Sequence, residues 1–64
     1  MEFMKVQDHK TGVILKRFID KKRVTESEFE NEQETQISEG KNYNSSYTVR
    51  DGKTNNFIHV HHYN

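Results

Sequence analysis

The side chains best suited to chemistry fall into three groups: the histidines of His59-Val60-His61-His62, the glutamates Glu26, Glu28, Glu30, Glu32 and Glu34, and the cations Lys16, Arg17, Lys21, Lys22 and Arg23. In a strand His59 and His61 point to one face, a spacing that suits two metal ligands, with His9 as a third only if two hairpins pair. No carboxylate or thiol lies beside them in sequence. The expectation is therefore no metal, and strand histidines whose charge rises as pH falls through about 6.5. Hydrolysis asks for a nucleophile beside a base, or two carboxylates held apart by a rigid site. The glutamates recur at alternate positions, which on a helix spreads them around the axis and makes a solvated acidic surface. Ser27, Ser38, Ser45 and Ser46 sit in no nucleophile motif, and no glycine-rich phosphate loop is present. Neither an enzyme activity nor a cofactor is expected.

The basic group lies close to Phe18, a combination that fits phosphate contacts and base stacking. An acidic segment follows it directly and repels the same backbone unless it faces elsewhere. That acidic segment, Glu26 to Glu34, is itself a candidate surface for a partner protein with a basic face.

These groups need elements to hold them. Phe3 to Ile19 reads as a β-hairpin, with Asp8 accepting hydrogen bonds from the turn backbone and Gly12 supplying a positive φ. Asp20-Lys21-Lys22 reads as a tight turn before a short extended Arg23-Val24. Thr25-Glu26-Ser27-Glu28 has the form of a capping box and starts a helix, with Glu26 and Glu28 at the positive end of its dipole. Phe29, Gln33 and Ile37 make its inward stripe, too sparse for a strong amphipath, so the extent of helix over residues 30–39 stays open. Gly40 is a suitable stop, and Lys41 to Ser46 is polar enough for a loop. Ser46 to Tyr63 repeats the hairpin grammar around Asp51-Gly52. Val6-Gln7-Asp8-His9-Lys10-Thr11 aligns with Val49-Arg50-Asp51-Gly52-Lys53-Thr54 at four of six positions. Two related hairpins or coincidence in turn-rich sequence both account for it, and coincidence is the expectation.

The fold class that follows is α+β, with two β-hairpins forming a small antiparallel sheet with one short acidic helix, β-β-α-β-β, as a single domain over residues 1–64. Hydrophobic residues make up 30% of the chain, with no alanine, tryptophan, cysteine or proline. The core must therefore come from a few large residues. Val6, Val13, Ile14, Leu15, Phe18, Ile19 and Val24 are the candidates before the helix, and Phe29, Ile37, Tyr47, Val49, Phe57, Ile58 and Val60 those from it onward. At 7.7 kDa so thin a core is marginal, and with no disulfide available self-association or ordering on a partner is the expected remedy. The net charge of zero conceals a basic, acidic, basic order. Seven bases against three acids fill residues 1–24, six glutamates and no base fill 25–40, and three bases against one acid fill 41–64. No apolar run is long enough to cross a bilayer and the first residues lack a signal-peptide pattern, so a cytoplasmic location with no membrane partner is expected.

From Phe18 to Phe29 the chain resembles small accessory proteins of phages of Gram-positive bacteria. The shared pattern is an extended aromatic segment, a turn, and a Val-Thr step into an acidic helix, although Lys21 stands where glycine is usual. The resemblance implies a short product that modifies a host machine by stoichiometric binding in the host cytoplasm, and it assigns no residue a role. The leading expectation is a non-catalytic protein-binding modulator, an inhibitor of a host enzyme or nucleic-acid-processing complex, acting through the acidic segment on a basic surface. The alternatives are a small nucleic-acid-binding protein using the basic hairpin, and a homo-oligomeric structural or assembly protein, with a homodimer as its simplest form.

Overall fold

The computed structural model describes residues 1–41 and 43–64, and of Tyr43 and Asn44 the backbone. Five strands and one helix follow in the order β1 (Glu2–Gln7), β2 (Ile14–Ile19), β3 (Lys22–Val24), α1 (Glu26–Ser38), β4 (Tyr43–Arg50) and β5 (Phe57–Tyr63). The α+β class is as expected. All strands form one antiparallel sheet in the order β3-β2-β1-β5-β4, so the first strand is central and the carboxyl-terminal hairpin pairs against it. The extended Arg23-Val24 segment is a paired third strand, which makes the order β-β-β-α-β-β.

Ile19 pairs with Lys22 across a two-residue turn in which Asp20 and Lys21 both take positive φ, 49° and 69°. That is the condition of the turn that suits strand twist, and it favours glycine at the second position. Lys21 meets it at a steric cost.

The two long hairpin loops share one conformation. In each, an aspartate amide donates to the carbonyl five residues on (Asp8 to Val13, Asp51 to Asn56), and the residue at position five, Gly12 or Asn55, donates back to the aspartate carbonyl. Asp8 Oδ1 accepts from the amides of Lys10 and Thr11, and Asp51 Oδ1 accepts from that of Lys53. Thr11 and Thr54 hydroxyls each accept the amide two residues later. The aligned Asp-x-Lys-Thr segments thus build the same loop, and the positive φ falls at Gly12 and Asn55, not at Gly52. The expected Asp51-Gly52 turn is instead a six-residue loop, because Asp51 and Thr54 organise the backbone from their side chains. Since β1 and β5 are neighbours the two loops lie side by side, joined by Asn56 Oδ1 within 3.2 Å of His9 Nδ1.

The helix begins as the capping box predicts. Glu28 N donates to Thr25 Oγ1 at 3.2 Å and Thr25 N donates to Glu28 Oε1 at 3.4 Å. It continues to Ser38 and closes with Gly40 at φ 75°, where Gly40 N and Lys41 N bond back to the Ile37 and Gln36 carbonyls. β4 starts at Tyr43, so most of the expected 41–46 loop is strand; Asn42 lies outside the described residues.

Pairing register sorts the side chains. Phe3, Lys5, Gln7, Arg17, Ile19, Val24, His59, His61 and Tyr63 share the face that α1 covers; Met4, Val6, Phe18, Ile58, Val60, Tyr47 and Val49 share the other. Under the helix the core is Phe3, Phe29 and Tyr63, flanked by half-buried Ile19 and Val24. Phe3 meets Phe29 and Tyr63 edge-on, with centroids 5.2 and 5.4 Å apart. Of the expected core, Phe29 and Val60 are buried, whereas Val13, Leu15, Ile37, Tyr47 and Val49 are 45–60% exposed. Val13 and Leu15 fall in the first loop and at the bulge where β2 carries one residue more than β1. Tyr47 and Val49 lie on the edge strand β4, on the face away from the helix. Ile37 is displaced because the inward helical row is Phe29, Gln33, Gln36, with Gln36 buried and Gln33 Nε2 donating to the Tyr63 hydroxyl at 3.3 Å.

Candidate functional site

The acidic helix presents its charges outward. Glu26, Glu30 and Glu34 recur at every fourth residue, so they form one ridge. All are exposed, and the ridge runs toward Ile37, 60% exposed. Glu26 Oε1 lies 3.8 Å from Arg17 Nη2 at the sheet. Among the described residues Glu30 and Glu34 have no ion-pair partner. The other two glutamates serve the helix itself. Glu28 completes the capping box, and Glu32 Oε1 accepts from Gln36 Nε2 at 3.1 Å. The expected acidic surface is therefore narrower than five equivalent residues.

The basic group is divided by strand alternation. Lys16 and Arg23 lie on the face away from the helix and bracket Phe18, which pairs directly with Arg23. Arg17 and Lys22 point to the helix side, and Lys21 stands in the turn between. An open groove of about 360 Å³ at this corner is lined by Lys16, Arg17 and Arg23 together with Glu26 and Glu28. Bases and acids share it, so the corner is not a continuous cationic patch.

The histidines are equally dispersed. His59 is held on both sides, with Nδ1 2.8 Å from Thr48 Oγ1 and Nε2 2.7 Å from Gln7 Oε1. His61 lies beside it on the helix face, where burial first, and then the charges of Lys5 and His59, push its pKa down. His62 is on the opposite face, stacked on Tyr47 at 6.3 Å with its Nε2 3.9 Å from Glu2 Oε2. His9 belongs to the loop end. Among the described residues no three His, Asp or Glu side chains come together as a metal site.

Sequence reasoning missed two things. Phe3 and Tyr63 are core residues, but their strand neighbours on the same face are Lys5, Gln7, His59 and His61, so the alternation gives no apolar signal there. The second is the face opposite the helix, where Met4, Val6, Ile58 and Val60 alternate cleanly and no helix or second sheet among the described residues packs over them, although neighbouring side chains bury Val60. Among the described residues no helix is long and apolar enough to cross a membrane. Comparison with protein-family models, curated proteins and solved structures finds no match for this chain.

Proposed function

We propose that the chain is a small non-catalytic modulator that binds a basic protein surface through the outward ridge of α1, Glu26, Glu30 and Glu34, with Ile37 as its apolar anchor. The observation that carries this reading is the cost of the ridge. Like charges four apart on a helix destabilise it by roughly 0.2–0.5 kcal/mol per pair, and both Glu26–Glu30 and Glu30–Glu34 are such pairs. No base in the helix offsets them. A basic partner converts that repulsion into attraction and steers encounter. The resemblance at Phe18 to Phe29 points to a host enzyme or nucleic-acid-processing complex as the partner class.

The test uses the chain as bait in lysate of its source or host at low salt, beside a variant carrying Glu30→Gln, Glu34→Gln and Ile37→Ser. These positions are exposed and outside the capping box. The parent should retain a protein that elutes when salt is raised to roughly 0.5 M, and the variant should lose it. Equal retention of the same protein by both baits rejects the reading.

One observation favours a second reading, a nucleic-acid binder: Lys16 and Arg23 bracket Phe18 on an uncovered sheet face. That version requires single-stranded oligonucleotide binding that weakens steeply with salt and disappears in a Lys16→Gln, Arg23→Gln variant. No mobility shift at low salt removes it.

A further inference from the structure

Among the described residues the uncovered face carries seven apolar strand side chains, against six on the face under the helix. Across the sheet, successive pairings place Arg23, Phe18, Met4, Val60 and Tyr47 in one row, from β3 to β4. The next row toward the loops is Lys16, Val6, Ile58 and Val49. We propose that this face packs on the same face of a second copy, giving a two-layer sandwich dimer with both acidic helices on the outside. This goes beyond the modulator reading and does not depend on it.

The row is self-complementary about β1. A two-fold axis parallel to β1 and midway between two facing sheets sets Met4 against Met4, Phe18 against Val60, and the Arg23 guanidinium over the Tyr47 ring on both sides. Each outer contact is then a cation on an aromatic face. In the row below, the axis sets Glu2 against Glu2, and Asp20, whose Oδ1 accepts the Glu2 amide, comes level with His62 of the other copy, so a histidine flanks the paired carboxylates on each side. The competing axis, across the strands through this row, sets Arg23 against Arg23 and Tyr47 against Tyr47, so both cation–aromatic contacts are lost. Two sheets packed this way lie about 10 Å apart with strands within roughly 30° of alignment.

Charge and area agree with a second copy as occupant. The acidic ridge lies behind the sheet in each copy, so association does not bring the two six-glutamate segments together. Five strands about 4.8 Å apart and five residues of about 3.4 Å give a footprint of roughly 24 by 17 Å per copy. The total is at most roughly 800 Å², below the roughly 1,200 Å² at which stable specific interfaces begin, so the dimer is weak and reversible.

Because the chain contains no cysteine, single thiols report the arrangement cleanly. Met4→Cys puts one thiol on the axis, and mild oxidation should link two copies through it. Ser46→Cys, on the helix-side face of the edge strand, should stay unlinked. Sedimentation of the unmodified chain from roughly 10 µM to 1 mM should pass from monomer to dimer mass. Arg23→Glu, an exposed substitution, should raise the dissociation constant at least about tenfold with an unchanged circular dichroism spectrum. Monomer mass throughout overturns the proposal. So does a dimer indifferent to Arg23→Glu, or one that cross-links through Ser46→Cys and not Met4→Cys, which assigns assembly to the β4 edge. An oligonucleotide that binds the monomer on this face, with no dimer at any concentration, overturns it as well.

Discussion

The two faces of the sheet divide the work of the molecule unevenly. On the helix side, three aromatic rings flanked by Ile19 and Val24 close a small core at one end, and the middle of the face is the polar run Lys5, Gln7, His59 and His61. On the far side the aliphatic side chains are continuous, yet among the described residues there only Val60 is buried, between its neighbours on β1 and β4. The helix has settled where aromatic area is concentrated and not where apolar residues are most numerous. Each edge-on ring pair adds about 0.5–1.5 kcal/mol to what burial provides, and Lys5 Nζ lies 5.1 Å above the Phe29 ring. The difference teaches that alternation sorts apolar from polar along a strand without deciding which face a lone helix will cover.

The strongest way to break this comparison is to remove one residue from each face. Phe29→Ala should cost about 3–5 kcal/mol and leave α1 undocked, whereas Val49→Ala on the far side should cost under about 1 kcal/mol in dilute solution. Urea melts followed by far-ultraviolet circular dichroism compare them, and equal losses would put the far face in the folding core. A smaller effect is expected at the turn that carries Arg23 to one face and Val24 to the other. Lys21→Gly relieves a left-handed backbone and should stabilise the chain by about 0.5–1 kcal/mol in the same melts, while a loss of stability would show that the lysine side chain supports the turn.

Acid should act on the helix-side face before the loops. His61 is held below the ordinary histidine value, so the folded chain binds fewer protons than the unfolded one. Its share of stability is complete above about pH 6.5 and declines as pH falls below that. The carboxyls of Asp8 and Asp51 are also held low, Asp8 by the amides of Thr11 and Lys10 and Asp51 by that of Lys53. Their contribution is complete above about pH 4 and is lost as pH falls through the folded values. Melting temperature against pH should therefore show two declines, the first absent in His61→Gln. The smallest expected effect is at the ridge, where Glu34→Gln removes one like-charge pair and should raise stability by roughly 0.2–0.5 kcal/mol at low salt and by nothing at high salt.

Much of the local architecture is legible in the sequence because it depends on side chains that bond their own backbone. Thr25 and Glu28 announce the helix start, Gly40 its end, and Asp8 with Gly12 the first loop. The second loop was harder to read, since Asp51-Gly52 imitates a two-residue turn while Thr54 and Asn55 enforce a longer one. The identity of the core was not legible, because Phe3 and Tyr63 are set among polar neighbours and owe their burial to the long-range pairing of β1 with β5. Nor was the division of the basic group, since Lys16, Arg17, Lys22 and Arg23 are adjacent in sequence but alternate between faces once β2 and β3 form.

The most direct test of the central claim, that the far face is built for a second copy and the helix face for folding, is the dependence of melting temperature on protein concentration. The account predicts a rise of several degrees between roughly 10 µM and 1 mM, flattened by Arg23→Glu. A melting temperature that stays the same across that range contradicts it.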